Sequence, residues 1–128
     1  MPSAFTLEIR EGYLYLCLEP GFEFTPESTT RTWTAIGEAC REHGLRKALV
    51  EGDNVQRRIS TLDSFDVASL IARLLPGLSV AFCFRGYVPD EQSQFFRIVA
   101  MNRGVRTAFF QDLNAALHWL KVEGRTSG

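Results

Sequence analysis

The chain has 128 residues, 45% hydrophobic and 23% charged, the balance of a globular domain long enough to bury its own core. A formal net charge of -1 gives no field to attract nucleic acid or an anionic bilayer, and the basic pair Arg57-Arg58 is too small to track a phosphate backbone. No stretch approaches the roughly 18 apolar residues of a spanning helix, so no membrane span is expected.

The elements follow in chain order. Phe5, Leu7 and Ile9 alternate with polar residues, Glu11-Gly12 supplies a turn, and Tyr13 to Leu18 forms a second strand that is apolar on both faces. That pattern predicts a hairpin whose second strand lies inside a sheet. Thr25 suits a helix N-cap, Pro26 the first helical position and Glu27 the first turn. Thr29, Trp33, Ile36 and Cys40 then recur at helical spacing, and Gly44 stops the helix with Leu45 folding back on it.

Lys47 to Glu51 reads as a buried strand, followed by a polar loop from Gly52 to Ser60. A second helix is expected from Ser60 or Thr61 to Leu75, ended by Pro76-Gly77. Leu78 to Phe84 is another apolar strand. A helix beginning near Asp90 carries Phe95, Ile98 and Val99 and stops at Asn102-Arg103-Gly104. Val105 to Phe110 is the last strand. In the final helix Leu113, Ala116, Leu117 and Leu120 make the cleanest apolar stripe of the chain, and residues from about Glu123 are expected to fray.

The order is β-β-α-β-α-β-α-β-α in one α/β domain with an ordered core over about 4–122. It predicts a five-stranded, mostly parallel sheet with right-handed crossovers and an antiparallel N-terminal edge strand. This element order, together with Asn102-Arg103-Gly104-Val105, Phe109-Phe110-Gln111-Asp112 and Ala115-Ala116-Leu117-His118-Trp119-Leu120, resembles the SpoIIAA-like (STAS) family and its uncharacterised bacterial STAS/SEC14-type branch. The resemblance spans about residues 5–121 and implies the SpoIIAA-like fold and a regulatory role through protein–protein interaction.

The resemblance also implies a phosphorylated serine after an aspartate before the second helix, a place that Asp63-Ser64 matches. Where the family continues Ser/Thr-Gly-Leu, this chain has Phe65-Asp66-Val67. The residues themselves support a second reading, in which Thr61, Asp63 and Ser64 cap the helix.

The signatures of catalysis are absent: no Gly-x-Ser-x-Gly elbow, no His-Glu-x-x-His, no phosphate loop and no Gly-x-Gly-x-x-Gly turn. His43 sits in a helix's last turn and His118 opposite the last helix's apolar stripe, neither with a carboxylate or thiol partner in sequence. Cys17, Cys40 and Cys83 are odd in number and widely spaced, so they read as reduced thiols in the cytoplasm, with no metal set and no disulfide framework. No cofactor is expected.

The 60–75 segment is more apolar than packing on one sheet face requires. Asp66, Ser69 and Arg73 make only a narrow polar stripe, and Phe22 and Phe24 are apolar loop residues placed to line the same region or to anchor their loop. The leading expectation is a non-enzymatic interaction module whose surface at Asp63, Ser64, Phe65 and Val67 meets a protein partner or a second copy. The alternative is a binding protein for a small apolar or amphiphilic ligand. Arg57 and Arg58, ahead of a helix N-terminus, are candidates for binding an anion.

Overall fold

The computed structural model describes residues 5–57, 66, 69, 70, 73, 77–86 and 90–126; for Arg57 and residues 122–126 the backbone alone is described. Strands β1 (Phe5–Arg10) and β2 (Tyr13–Leu18) form the expected antiparallel hairpin, and Gly12 turns it with a φ of 85° that a side chain would resist. Strands β4 (Lys47–Asp53), β6 (Ser79–Arg85) and β7 (Arg106–Phe110) continue the sheet in parallel, in the order β1-β2-β4-β6-β7. A minor parallel pair, β3 (Glu23–Phe24) with β5 (Gln56–Arg57), lies where the sequence predicts only loops.

Helix α1 (Pro26–His43) begins as its residues dictate. The Thr25 hydroxyl accepts from the Ser28 amide at 3.1 Å, and the Ser28 hydroxyl accepts from the Thr25 amide at 2.8 Å, a reciprocal capping box. Gly44 ends it at φ 65°, and the Leu45 amide returns to the Cys40 carbonyl at 2.8 Å. Helix α2 (Glu91–Asn102) is capped by Asp90, whose carboxylate accepts from the Ser93 amide at 3.1 Å. Helix α3 (Leu113–Thr126) runs past Glu123, where fraying is expected from composition. None of the described helices is long and apolar enough to cross a membrane. Asp66, Ser69, Leu70 and Arg73 have helical backbone; the rest of the 60–75 segment lies outside the described residues.

Strand alternation divides the core into two layers. On one face Leu14, Leu16, Val50, Val80 and Phe82 meet Trp33, Ile36 and Cys40 of α1 and Phe96, Val99 and Ala100 of α2. On the other face Leu49, Ala81 and Cys83 meet Ala116 and Leu120 of α3. Aromatic rings bind the first layer: Phe82 stacks on Phe109 at 4.9 Å, Trp33 meets Phe82 edge-on at 5.7 Å, and Phe24 reaches Phe84 at 5.8 Å. Phe22 is buried and pairs with Phe24 at 4.9 Å, so both anchor their loop.

Two apolar stripes differ in detail from their sequence pattern. In α3, Ala116 and Leu120 are buried while Leu113 and Leu117 are only half-buried, packed at the margin of the Leu49–Ala81–Cys83 layer. In α2, Val99 faces the core but Phe95 and Ile98 face outward, because burial follows Ser93, Phe96, Val99 and Ala100.

Candidate functional site

Parallel strands bring their carboxyl ends to one edge of the molecule, where α/β proteins place most of their sites. Here the apolar centres of three strands give way to polar residues on the α3 side of the sheet. Cys17, Glu51 and Cys83 share one row across β2, β4 and β6, and Asp53 and Arg85 share the next. The Arg85 guanidinium donates through Nη1 to Glu51 Oε2 at 2.8 Å and through Nε to Asp53 Oδ1 at 2.6 Å. The Tyr15 hydroxyl donates to the other Glu51 oxygen, and Arg10 lies 3.9 Å from the Tyr15 ring centre.

Burial and hydrogen bonding raise three groups of this cluster, Tyr15, Arg85 and Cys83. Burial, then the Glu51 hydrogen bond, pushes the Tyr15 phenol well above its ordinary value of 10.0. The hydrogen bonds to Asp53 and then Glu51 push Arg85 further up still. Burial also raises the Cys83 thiol, against a partial pull downward from Arg85. At neutral pH Tyr15 therefore keeps its proton, and Glu51 is engaged on both oxygens. The arrangement fixes charges in place. Beside it the backbone is tight: Asn54 sits at φ 51°, and a Cβ on Gly86 would lie 2.3 Å from the Asn54 Oδ1.

A second surface lies along β7, the sheet edge opposite β1. Helix α2 presents Phe95, Ile98 and Met101 at i, i+3 and i+6, and these are 38%, 52% and 61% exposed. Between α2, β7 and α3 runs an open groove of about 330 Å³, lined by Gln94, Arg97, Ile98, Met101, Arg106, Thr107 and Trp119. Arg97 bends over the strand and donates through Nε to the Thr107 carbonyl at 3.0 Å. The Thr107 hydroxyl is buried and has no hydrogen-bond partner among the described residues.

The residues singled out from sequence fall unevenly on this frame. Asp63, Ser64, Phe65, Val67 and Arg58 lie outside the described residues, and Arg57 contributes its backbone to β5. Of the polar stripe, Asp66 and Arg73 are exposed and Ser69 is half-buried, as is Leu70. His43 and His118 are exposed, and Cys17, Cys40 and Cys83 are free thiols, two of them buried. No group of three or more potential metal ligands occurs among the described residues.

The Tyr15–Glu51–Arg85–Asp53 cluster and the β7 groove are not marked by any sequence motif. A polar residue closing an apolar run, Glu51 after Ala48-Leu49-Val50 and Arg85 after Val80 to Phe84, is the one signal of the first. The outward set of α2 depends on helix rotation, which the sequence pattern leaves open.

No protein-family model matches this sequence, and no curated protein matches it either. Among solved structures it is similar to an uncharacterized protein of the DUF3478 family with a SpoIIAA-like fold from Shewanella loihica PV-4. The two share 19% identity over 94% of this chain and 98% of that one, with a TM-score of 0.52. The fold is thus SpoIIAA-like, with a five-stranded mixed sheet in which β1 runs antiparallel to β2 and the rest are parallel.

Proposed function

We propose that this chain is a non-catalytic binding and regulatory module that acts through contact with another protein. One observation carries the proposal: the row of Phe95, Ile98 and Met101, exposed at 38%, 52% and 61% on one side of α2 and continuous with the β7 groove. Three large apolar side chains in one row are costly to leave in water, and such patches mark interaction surfaces. The groove beside them is partly open to solvent, so it would leave part of a small apolar ligand in water, whereas an enclosed cavity covers most of one.

The polar cluster at the carboxyl end of the strands fits the same reading. A phenol held neutral and an arginine saturated by two carboxylates lack the free base or nucleophile that turnover needs. The Asp63-Ser64 pair, with Phe65 and Val67, belongs to the proposal as its switch, since a phosphate there would add up to about two negative charges at the point where the sequence predicts a helix to begin. We also place the protein in the cytoplasm, a setting that three free cysteines fit.

The test is to recover the tagged protein from the cells that make it after light cross-linking, beside an Ile98→Asp variant, and to run native mass spectrometry on both. A protein carried by the natural chain and lost from Ile98→Asp supports the reading. A small molecule retained in the native spectrum, with no protein companion, would replace it with ligand binding.

A further inference from the structure

The partner surface has a chemistry that its geometry specifies further. We infer that the outer edge of β7 takes an extended, acidic–apolar segment of a partner protein as an added strand; this rests on the partner-binding reading above and names the kind of partner. The Arg106 amide donates inward to the Leu78 carbonyl at 3.0 Å, so alternation turns the Thr107 peptide groups outward, away from β6. No described strand pairs with β7 on that side. The Thr107 carbonyl is occupied by a side chain instead, the Arg97 guanidinium at 3.0 Å.

An open strand edge is a template for another strand, and proteins normally blunt such edges with charge. Arg97 is that blunting charge. Its hydrogen bonds go to the Thr107 carbonyl and the Gln94 side chain, and to no carboxylate among the described residues. A carboxylate on an incoming strand would draw Arg97 off the edge, expose the Thr107 carbonyl and pair with the released guanidinium. The same displacement brings the buried, unpartnered Thr107 hydroxyl within reach of the added strand's polar groups.

The walls decide the rest. Side chains of an added strand alternate between the α2 side, against Ile98 and Met101, and the α3 side, against Trp119. Apolar residues suit both walls. Among the described residues no carboxylate lines the groove, and Arg97 there bonds to none, so its charge calls for Asp or Glu in the segment. A second copy pairing along the same edge would bring the Arg97 side chains of both chains to one seam, which like-charge repulsion opposes.

The experiment is to select a displayed library of random peptides of about nine residues, roughly one strand with its flanks, on the immobilised protein. The expected winners alternate apolar residues with Asp or Glu. They slow amide hydrogen exchange at Thr107, and they lose roughly tenfold or more in affinity for Arg97→Gln and for Ile98→Asp. Ile98 is exposed, so its variant keeps the test open should Arg97→Gln fold poorly.

Winners that are basic or proline-rich, no enrichment at all, or acidic peptides that bind both variants unchanged would overturn the inference. So would a dimer of the protein itself that protects the Thr107 amide. If a cellular partner is still lost from Ile98→Asp while the library yields no acidic strand, the inference fails and the partner-binding reading stands.

Discussion

The two edge strands of the sheet treat water differently. On β1, Leu7 and Ile9 are 42% and 44% exposed, and the opposite side of the strand is dressed with an ion pair, Glu8 to Arg10 at 3.2 Å, and by Arg10 over the Tyr15 ring. On β7, Thr107 and Ala108 are buried, Phe109 stacks on Phe82, and a helix arginine lies across the outer peptide groups. Isolated apolar exposure, as on β1, is ordinary for a protein surface. Apolar exposure beside a strand edge, a groove and an arginine without a carboxylate partner among the described residues makes a surface with both shape and charge. The comparison separates leftover hydrophobicity from a surface suited to recognition.

The largest expected effect lies under β7. Phe82→Ala removes the ring on which Phe109, Trp33 and Phe84 converge, and is expected to cost about 3–5 kcal/mol in urea unfolding, as for a buried phenylalanine. Leu120→Ala, on the buried line of α3, is expected to cost about 2–5 kcal/mol, and half-buried Leu117→Ala less than that. If Leu117→Ala proved the costlier, the placement of α3 on the sheet would be wrong. Arg97→Ala, which removes the bond across the β7 edge, should cost about 1 kcal/mol.

The Tyr15 cluster predicts a pH effect whose sign follows from burial. Tyr15 has its folded value raised above the unfolded 10.0, so its contribution is fully present below that pH and is lost as pH rises through the folded value. Stability measured upward from about pH 10 should fall more steeply for the natural chain than for Tyr15→Phe. Equal slopes would remove the burial account of Tyr15. The smallest effect belongs to β1: Ile9→Thr should change stability by no more than about 0.5 kcal/mol, as for a surface site.

Local chemistry made much of the fold legible in the sequence. Thr25-Pro26-Glu27 and Gly44-Leu45 delimit α1 because capping is settled within a few residues, and Trp33, Ile36 and Cys40 are buried as their spacing demands. The β3–β5 pair was not legible, because strands of two residues have no periodicity to read. Nor was the Tyr15–Glu51–Arg85 cluster, whose members come from three strands and meet only once the register is set. Phe95 and Ile98 could be read as apolar positions of α2, yet which side of the helix meets the sheet is decided by tertiary packing. The phosphoswitch position at Asp63-Ser64 rests on resemblance alone, and both residues lie outside the described ones.

The most direct test of the central claim sets the two edges against each other. Ile98→Asp on the β7 side and Ile9→Asp on the β1 side place the same charge at positions 52% and 44% exposed, so their effects on folding should be alike. The retained cellular partner is then quantified for each. Loss with Ile98→Asp and retention with Ile9→Asp is the predicted result; retention with Ile98→Asp, or loss through Ile9→Asp alone, would contradict the account.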